Sequence, residues 1–142
     1  MSQTAQIRFK HLSSFWEGKY ATQGEGYVGR KGEDHRLQTK RIESLLLTRL
    51  QPDDFYRNGL DFGCGWGRFL PFLSRFCAHL WAVDIMPPVL DKAARLVPNV
   101  TALKAGYPLK LPWRKPRLDF LWAGLVLQHL VDEEMFLDVC NE

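Results

Sequence analysis

Leu60-Asp61-Phe62-Gly63-Cys64-Gly65-Trp66-Gly67-Arg68-Phe69 is the stretch that decides the fold. Gly59 to Phe62 reads as a short apolar strand carrying an acid near its end. Glycines follow at alternate positions, and Phe69, Leu70, Phe72, Leu73 and Phe76 then recur at helical spacing. A chain that turns sharply from strand to helix needs backbone conformations that side chains obstruct, and glycine also lets a ligand approach the main chain closely. Pro71 would cost a hydrogen bond inside a helix, so either this helix starts late or its first turn is distorted.

Downstream, His79 to Val83 reads as a strand that delivers Asp84, 23 residues after Asp61 (84 − 61). An acid at that strand end is placed to accept hydrogen bonds from ribose hydroxyls, as in nucleotide-binding α/β folds. Pro88 to Leu96 reads as a helix, Asn99 to Leu103 and Leu118 to Ala123 as strands, and Leu125 to Leu130 as a short helix or loop. Asp132 to Cys140 reads as a helix with Met135, Phe136 and Val139 inward, and Gly106 to Pro116 as a connection. This βαβαβ order predicts an α/β fold, a parallel sheet flanked by helices.

Upstream, Phe9, Leu12, Phe15, Trp16 and Tyr20 suggest an amphipathic helix whose aromatic side packs on the domain. Gly24, Gly26, Gly29 and Gly32 describe a loop carrying Arg30 and Lys31. A helix from about His35 to Leu50 then sets Ile42, Leu45, Leu46 and Leu50 on one side. Residues 1–57 are thus N-terminal helices and a glycine-rich loop, continuous with a ligand-binding βαβ core over 58–142.

Composition bounds the alternatives. The 142 residues are 46% hydrophobic, enough for one domain that buries about two-thirds of its unfolded surface. Disorder and a disulfide-framed miniprotein are excluded on the same ground. Nineteen basic against sixteen acidic side chains give a net charge of +3, too small an imbalance to argue for nucleic acid. The basic cluster Trp113-Arg114-Lys115-Pro116-Arg117 is of a kind common on ordinary surfaces. Cys64, Cys77 and Cys140 form no close pair, so no disulfide framework, redox motif or metal site is expected. With no apolar run of about 18 residues and no leader-like N-terminus, the expectation is a cytoplasmic chain that does not cross a membrane.

The ligand class narrows further. The glycines follow G-x-G-x-G, and the position where a dinucleotide fingerprint needs its third glycine is Arg68. Asp61 beside the turn disfavours a pyrophosphate but suits a cationic ligand.

Leu60 to Phe69 followed by Ala82-Val83-Asp84-Ile85 resembles the class I S-adenosylmethionine-dependent methyltransferase family, with its Rossmann-like fold. His11 to Tyr20 is similar to the Phe-Trp and Tyr segment that precedes the core in many small-molecule members. Leu111-Pro112-Trp113 resembles their Leu-Pro-Phe, Leu118 to Leu121 their fourth strand, and Leu127 to Glu134 the segment after it. Roughly residues 9 to 140 can be placed in this way.

The resemblance implies S-adenosyl-L-methionine as cofactor and methyl transfer to a small-molecule acceptor. Gly63, Gly65 and Gly67 would lie against the methionine part and Asp61 near its amino group. Asp84 would hold the ribose hydroxyls, and Ile85 and Met86 would give adenine an apolar face. Tyr107 stands where members often carry an acid that touches the adenine amino group; its hydroxyl or ring would substitute. His129 is the candidate base or substrate contact, Arg30 and Lys31 candidate substrate clamps, and His11 and His35 pocket-edge candidates. His79, at the head of its strand, is expected at the surface. No Asp/Asn-Pro-Pro-aromatic motif follows the fourth strand, and Cys64 lacks a preceding proline, so a DNA base loses ground as substrate.

The family fold has seven strands and only four can be placed here, in the implied order 3-2-1-4. The expectation is a fold truncated after the fourth strand: a trimmed domain, a compact form completed by dimerising, or a remnant that binds without catalysing. The alternative function is therefore a non-catalytic or partner-dependent interaction protein. The apolar edge of the fourth strand would invite a second copy or a partner chain.

Overall fold

The computed structural model describes residues 3–23, 33–51, 53–105 and 118–130. The loop with Arg30 and Lys31, the connection with Tyr107 and Trp113, and the expected helix over 132–140 lie outside the described residues. The elements run α1 (Gln3–Gln23), α2 (Glu33–Leu47), β1 (Tyr56–Phe62), α3 (Leu70–Leu73), β2 (Cys77–Asp84), α4 (Pro87–Ala93), β3 (Val100–Lys104) and β4 (Phe120–Trp122), then a 3-10 turn over Leu127–His129. All strand pairs are parallel and the sheet order is β3-β2-β1-β4, as the sequence predicts. This is the Rossmann-like methyltransferase arrangement over its first four strands.

Alternation along the strands divides the core in two. Leu80 and Ala82 of β2 point to the side of α3 and α4, where they meet Leu70, Leu73, Val89, Leu90 and Ala93, all buried. Leu60, Phe62 and Val83 build a smaller cluster on the opposite face with Ala105, Val126 and Leu130. The second half of β1, residues 59–62, is buried on both faces, and so is much of β2. Their shared register, Asp61 opposite Ala82 and Phe62 opposite Val83, brings their carboxyl ends level.

The helices differ in detail from their sequence reading. The helix after the glycine turn is a single turn, because the turn takes residues 63–69 and Phe76 must already meet β1, its carbonyl accepting from Tyr56 N–H at 2.7 Å. Pro71 falls in the first turn of α3, where its missing N–H has no partner to lose, so the helix does start late. Ile42 and Leu46 of α2, and Leu50 just beyond its end, face the core while Leu45 is 67% exposed, against the expectation that it shares their side. His79 lies inside β2, half-buried, with its ring edge-on to Trp81 at 4.5 Å, and not on the surface. Among the described residues no helix is long and apolar enough to cross a membrane.

Leu80 is fully buried at the centre of this packing. Leu80→Ala is expected to cost about 2–5 kcal/mol, from lost transfer free energy and the cavity left behind. Urea unfolding should show a lower midpoint at unchanged slope, and a change under about 1 kcal/mol would mean that β2 is not central to the core.

Candidate functional site

The glycine turn is fastened to the end of β2 by three backbone donors. Gly63 and Cys64 N–H both donate to the Val83 carbonyl, at 2.7 and 3.0 Å, and Gly65 N–H donates to Asp84 Oδ2 at 2.9 Å. Gly63, Gly65 and Gly67 all have positive φ, at 73°, 51° and 77°. At Gly63 a Cβ would also strike the Val126 side chain, so only glycine combines that backbone with that neighbour. At Gly65 the nearest atom to an added Cβ would be Tyr20 Oη at 3.5 Å, which leaves a small cradle between turn and tyrosine.

Two carboxyls face this turn. Asp84 accepts Gly65 N–H on Oδ2 and Met86 N–H on Oδ1 at 3.0 Å, and each oxygen keeps a further acceptor site. Burial raises its pKa while the backbone donors at Gly65, Met86 and Ile85 pull it down. Asp61 is only 2% exposed, and its Oδ2 has no hydrogen-bond partner among the described residues. Burial, then the like charge of Asp84, pushes its pKa up to about 8, with Arg68 opposing. A buried carboxyl with an unpartnered oxygen is costly, and a cationic ligand group at that oxygen would relieve the cost.

Aromatic rings roof the cradle. Tyr20 of α1 sits edge-on to Trp66 of the turn at 5.5 Å, and Trp16 one turn earlier sits edge-on to His129 at 4.9 Å. Trp16 and Tyr20 themselves lie 5.9 Å apart. Burial first, then the charge of Asp84, raises the Tyr20 hydroxyl pKa, so it stays a donor. Burial, Asp61 and Asp84 likewise keep the Cys64 thiol protonated, which removes it as a nucleophile. Burial lowers the His129 pKa, favouring the neutral ring that can accept a proton.

Of the residues singled out in the sequence, Asp61, Gly63, Gly65, Gly67 and Asp84 come together at the ends of β1 and β2. His129 stands at the rim through Trp16. Ile85 packs against both core clusters, and Met86 is buried, with its N–H on Asp84. His11 is exposed in the middle of α1, beside Arg8, Leu12 and Phe15. His35 is half-buried in the first turn of α2, where its carbonyl accepts from the Thr39 hydroxyl at 2.9 Å. Tyr107, Arg30 and Lys31 lie outside the described residues. From the sequence the aromatics of α1 look like packing residues; their convergence on Trp66 and His129 has only a faint local signal, the four-residue spacing of Trp16 and Tyr20.

A parallel sheet with a glycine turn and two acids at its carboxyl end is the arrangement expected of the Rossmann-like, S-adenosylmethionine-dependent methyltransferases that the sequence resembles. Residues 60–142 match the family described as Methyltransferase domain, more than half of the chain, and the chain belongs to that family. No curated protein matches at a comparable level. Among solved structures, Haemonchus contortus phosphoethanolamine N-methyltransferase 1, in complex with phosphoethanolamine and S-adenosylhomocysteine, aligns with TM-score 0.73 at 18% identity, covering 99% of this chain and 30% of that one. The DhpI-SAM-HEP complex aligns with TM-score 0.66 at 15% identity, covering 99% and 60%. The N-methyltransferase NodS from Bradyrhizobium japonicum, with S-adenosyl-L-homocysteine, aligns with TM-score 0.64 at 18% identity, covering 94% and 64%. The chain thus spans less than two-thirds of the length of these relatives.

Asp61 makes the stability of the fold depend on pH with a definite sign. Its folded pKa is raised from the ordinary 3.8 to about 8, so between those values the folded state holds a proton that the unfolded chain releases. The resulting stabilisation is complete below the unfolded value and is lost as pH rises through about 8. Asp61→Asn removes the titration. Thermal melts from about pH 5 to about pH 9 should show wild type losing stability relative to the variant as pH rises. Parallel curves would mean that Asp61 ionises normally.

Proposed function

We propose that the chain binds S-adenosyl-L-methionine across the glycine turn and transfers its methyl group to a small-molecule acceptor. The observation that carries this reading is the buried Asp61 carboxyl, with one oxygen unpartnered among the described residues, beside Asp84 and a turn held open by glycines. Those features fit the ligand: Asp61 meets its ammonium group and Asp84 offers acceptor sites to the ribose hydroxyls. The turn at Gly63, Gly65 and Gly67 accommodates the methionine part, and Ile85 and Met86 border the adenine. When bound, the cofactor supplies a methyl group already activated by positive sulfur.

The protein's share is then alignment and exclusion of water. Trp16, Tyr20 and Trp66 form an apolar cover over the turn, and the Tyr20 hydroxyl is a donor fixed beside Asp84. His129, held edge-on by Trp16 and favoured in its neutral form, takes a proton from an acceptor that arrives protonated. Tyr107 is assigned to the adenine side, and Arg30 and Lys31 to an anionic group of the acceptor. Two of the aligned relatives are N-methyltransferases, and the acceptor atom in this reading is an amine nitrogen, which needs just such a base.

Calorimetric titration tests the reading directly. S-adenosylmethionine and its demethylated product should bind in the micromolar range, and Asp84→Ala should weaken binding by about 1.5–3 kcal/mol, roughly ten- to a hundred-fold. Absence of both heat and thermal shift at millimolar ligand overturns it.

A second reading, a partner-dependent binding module, is favoured by one observation. Among the described residues β4 pairs only with β1, and Leu121 on it is 58% exposed. A second copy of the chain paired along that edge would cover it. Light scattering over a wide concentration range should then show a dimer, and a monomer throughout rejects the pairing.

A further inference from the structure

Arg68 closes the glycine turn, and its guanidinium is held from two sides. Nη1 donates to Gln38 Oε1 of α2 at 3.3 Å, and the guanidinium carbon lies 4.5 Å from the ring centre of Phe69. Phe69 in turn sits edge-on to Trp122 at 5.3 Å, and Trp122 is the register partner of Asp61 across β1 and β4. Arg68 thus stands between α2 and an aromatic pair that leads back to the buried acid.

The charges that act on Asp61 come from two elements. Asp84 faces it from β2 with like sign, and Arg68 from the turn with opposite sign. The Cys64 thiol, also in the turn, stays protonated, and the Tyr20 hydroxyl of α1, which faces Asp84, does so too. Burial and Asp84 favour the neutral acid, which has no charge to offer a cationic ligand. Arg68 favours the ionised form. Burial weakens the hold of Arg68 on its own proton and Asp61 restores it, and a guanidinium stays charged throughout. Asp61 Oδ2 still has no hydrogen-bond partner among the described residues, so the arginine lowers the cost of ionising the acid without capping the oxygen a ligand would use.

We propose that Arg68, clamped by Gln38 and Phe69, is a positioning residue that readies Asp61 as an anion for the cationic end of the ligand. The inference rests on the cofactor reading above for the identity of that ligand, but its electrostatic core is testable on the ligand-free chain. It also assigns α2 a task beyond packing, since Gln38 supports the arginine from that helix.

Carboxyl-carbon NMR on the full chain would follow the titration of Asp61 in wild type, Arg68→Met, Arg68→Lys and Gln38→Ala. The Arg68→Met midpoint is expected to rise by about one pH unit or more, Arg68→Lys to return toward wild type, and Gln38→Ala to show a smaller rise. Lost packing alone would not be rescued by the lysine. A midpoint unmoved in Arg68→Met overturns the inference, and if that variant does not fold, an unmoved Gln38→Ala midpoint does so. Titration of the same proteins with S-adenosylhomocysteine near pH 7 should show about tenfold weaker binding by Arg68→Met, since one pH unit is a factor of ten in the ionised fraction. No binding by any of them, wild type included, removes the cofactor reading and leaves the carboxyl midpoints to decide on Arg68.

Discussion

The site depends on how the end of β1 is tied to the end of β2. Two backbone donors of the glycine turn converge on the Val83 carbonyl, and a third reaches Asp84. Peptide groups buried this close to a core need partners, and here the partners come from the neighbouring strand. The tie forces the chain through three positive-φ residues, which only glycine adopts without strain. It also fixes the Asp84 carboxylate, since Met86 N–H holds its other oxygen at the start of α4.

That geometry creates an electrostatic problem which the rest of the site answers. Two carboxyls close together in a buried crevice cannot both ionise freely, and their environments push them apart. Asp84 keeps backbone donors that favour its charge. Asp61 has no such donor on Oδ2 among the described residues, and burial and Asp84 push its pKa up to about 8. The protein therefore gives up stability as the acid ionises, in exchange for a charge that becomes useful once a cation is present. Tyr20 and Cys64 are driven toward their neutral forms by burial first, then by Asp84 for the tyrosine and by Asp61 and Asp84 for the thiol, so they add no further negative charge.

Much of this is legible in the sequence because it is local. The alternation of Gly63, Gly65 and Gly67 after Asp61 encodes the turn, and an apolar run ending in Asp84 encodes the second acid. The sheet order 3-2-1-4 is what the family resemblance implies, and right-handed β-α-β crossovers are compatible with it. What was not legible is set by distance in space. Leu45 has the right residue type and nearly the right spacing for the core face of α2, yet the helix is rotated so that Ile42 and Leu46, with Leu50 just beyond its end, take that face. Nothing near Trp16 announces His129, nor does anything near Gln38 announce Arg68. The short α3 is likewise a tertiary outcome, because Phe76 must reach Tyr56 before a longer helix could form.

The topology explains why such distant residues meet. From β1 the chain crosses through α3 and α4 to β2 and β3 on one side, then returns past β1 to lay β4 on the other. The crevice opens where that direction reverses, above the carboxyl ends of β1 and β4. The segment leaving β4 must pass over the glycine turn, which is why Val126 fills the space beside Gly63 and why His129 arrives at the rim. Trp16 reaches His129 while Tyr20 reaches Trp66, so α1 lies across the same opening. On the proposed reading, a ligand held by Asp61 and Asp84 would be covered by the first helix and flanked by the residues that follow the fourth strand, so that specificity for an acceptor would lie in those two segments and not in the glycine turn.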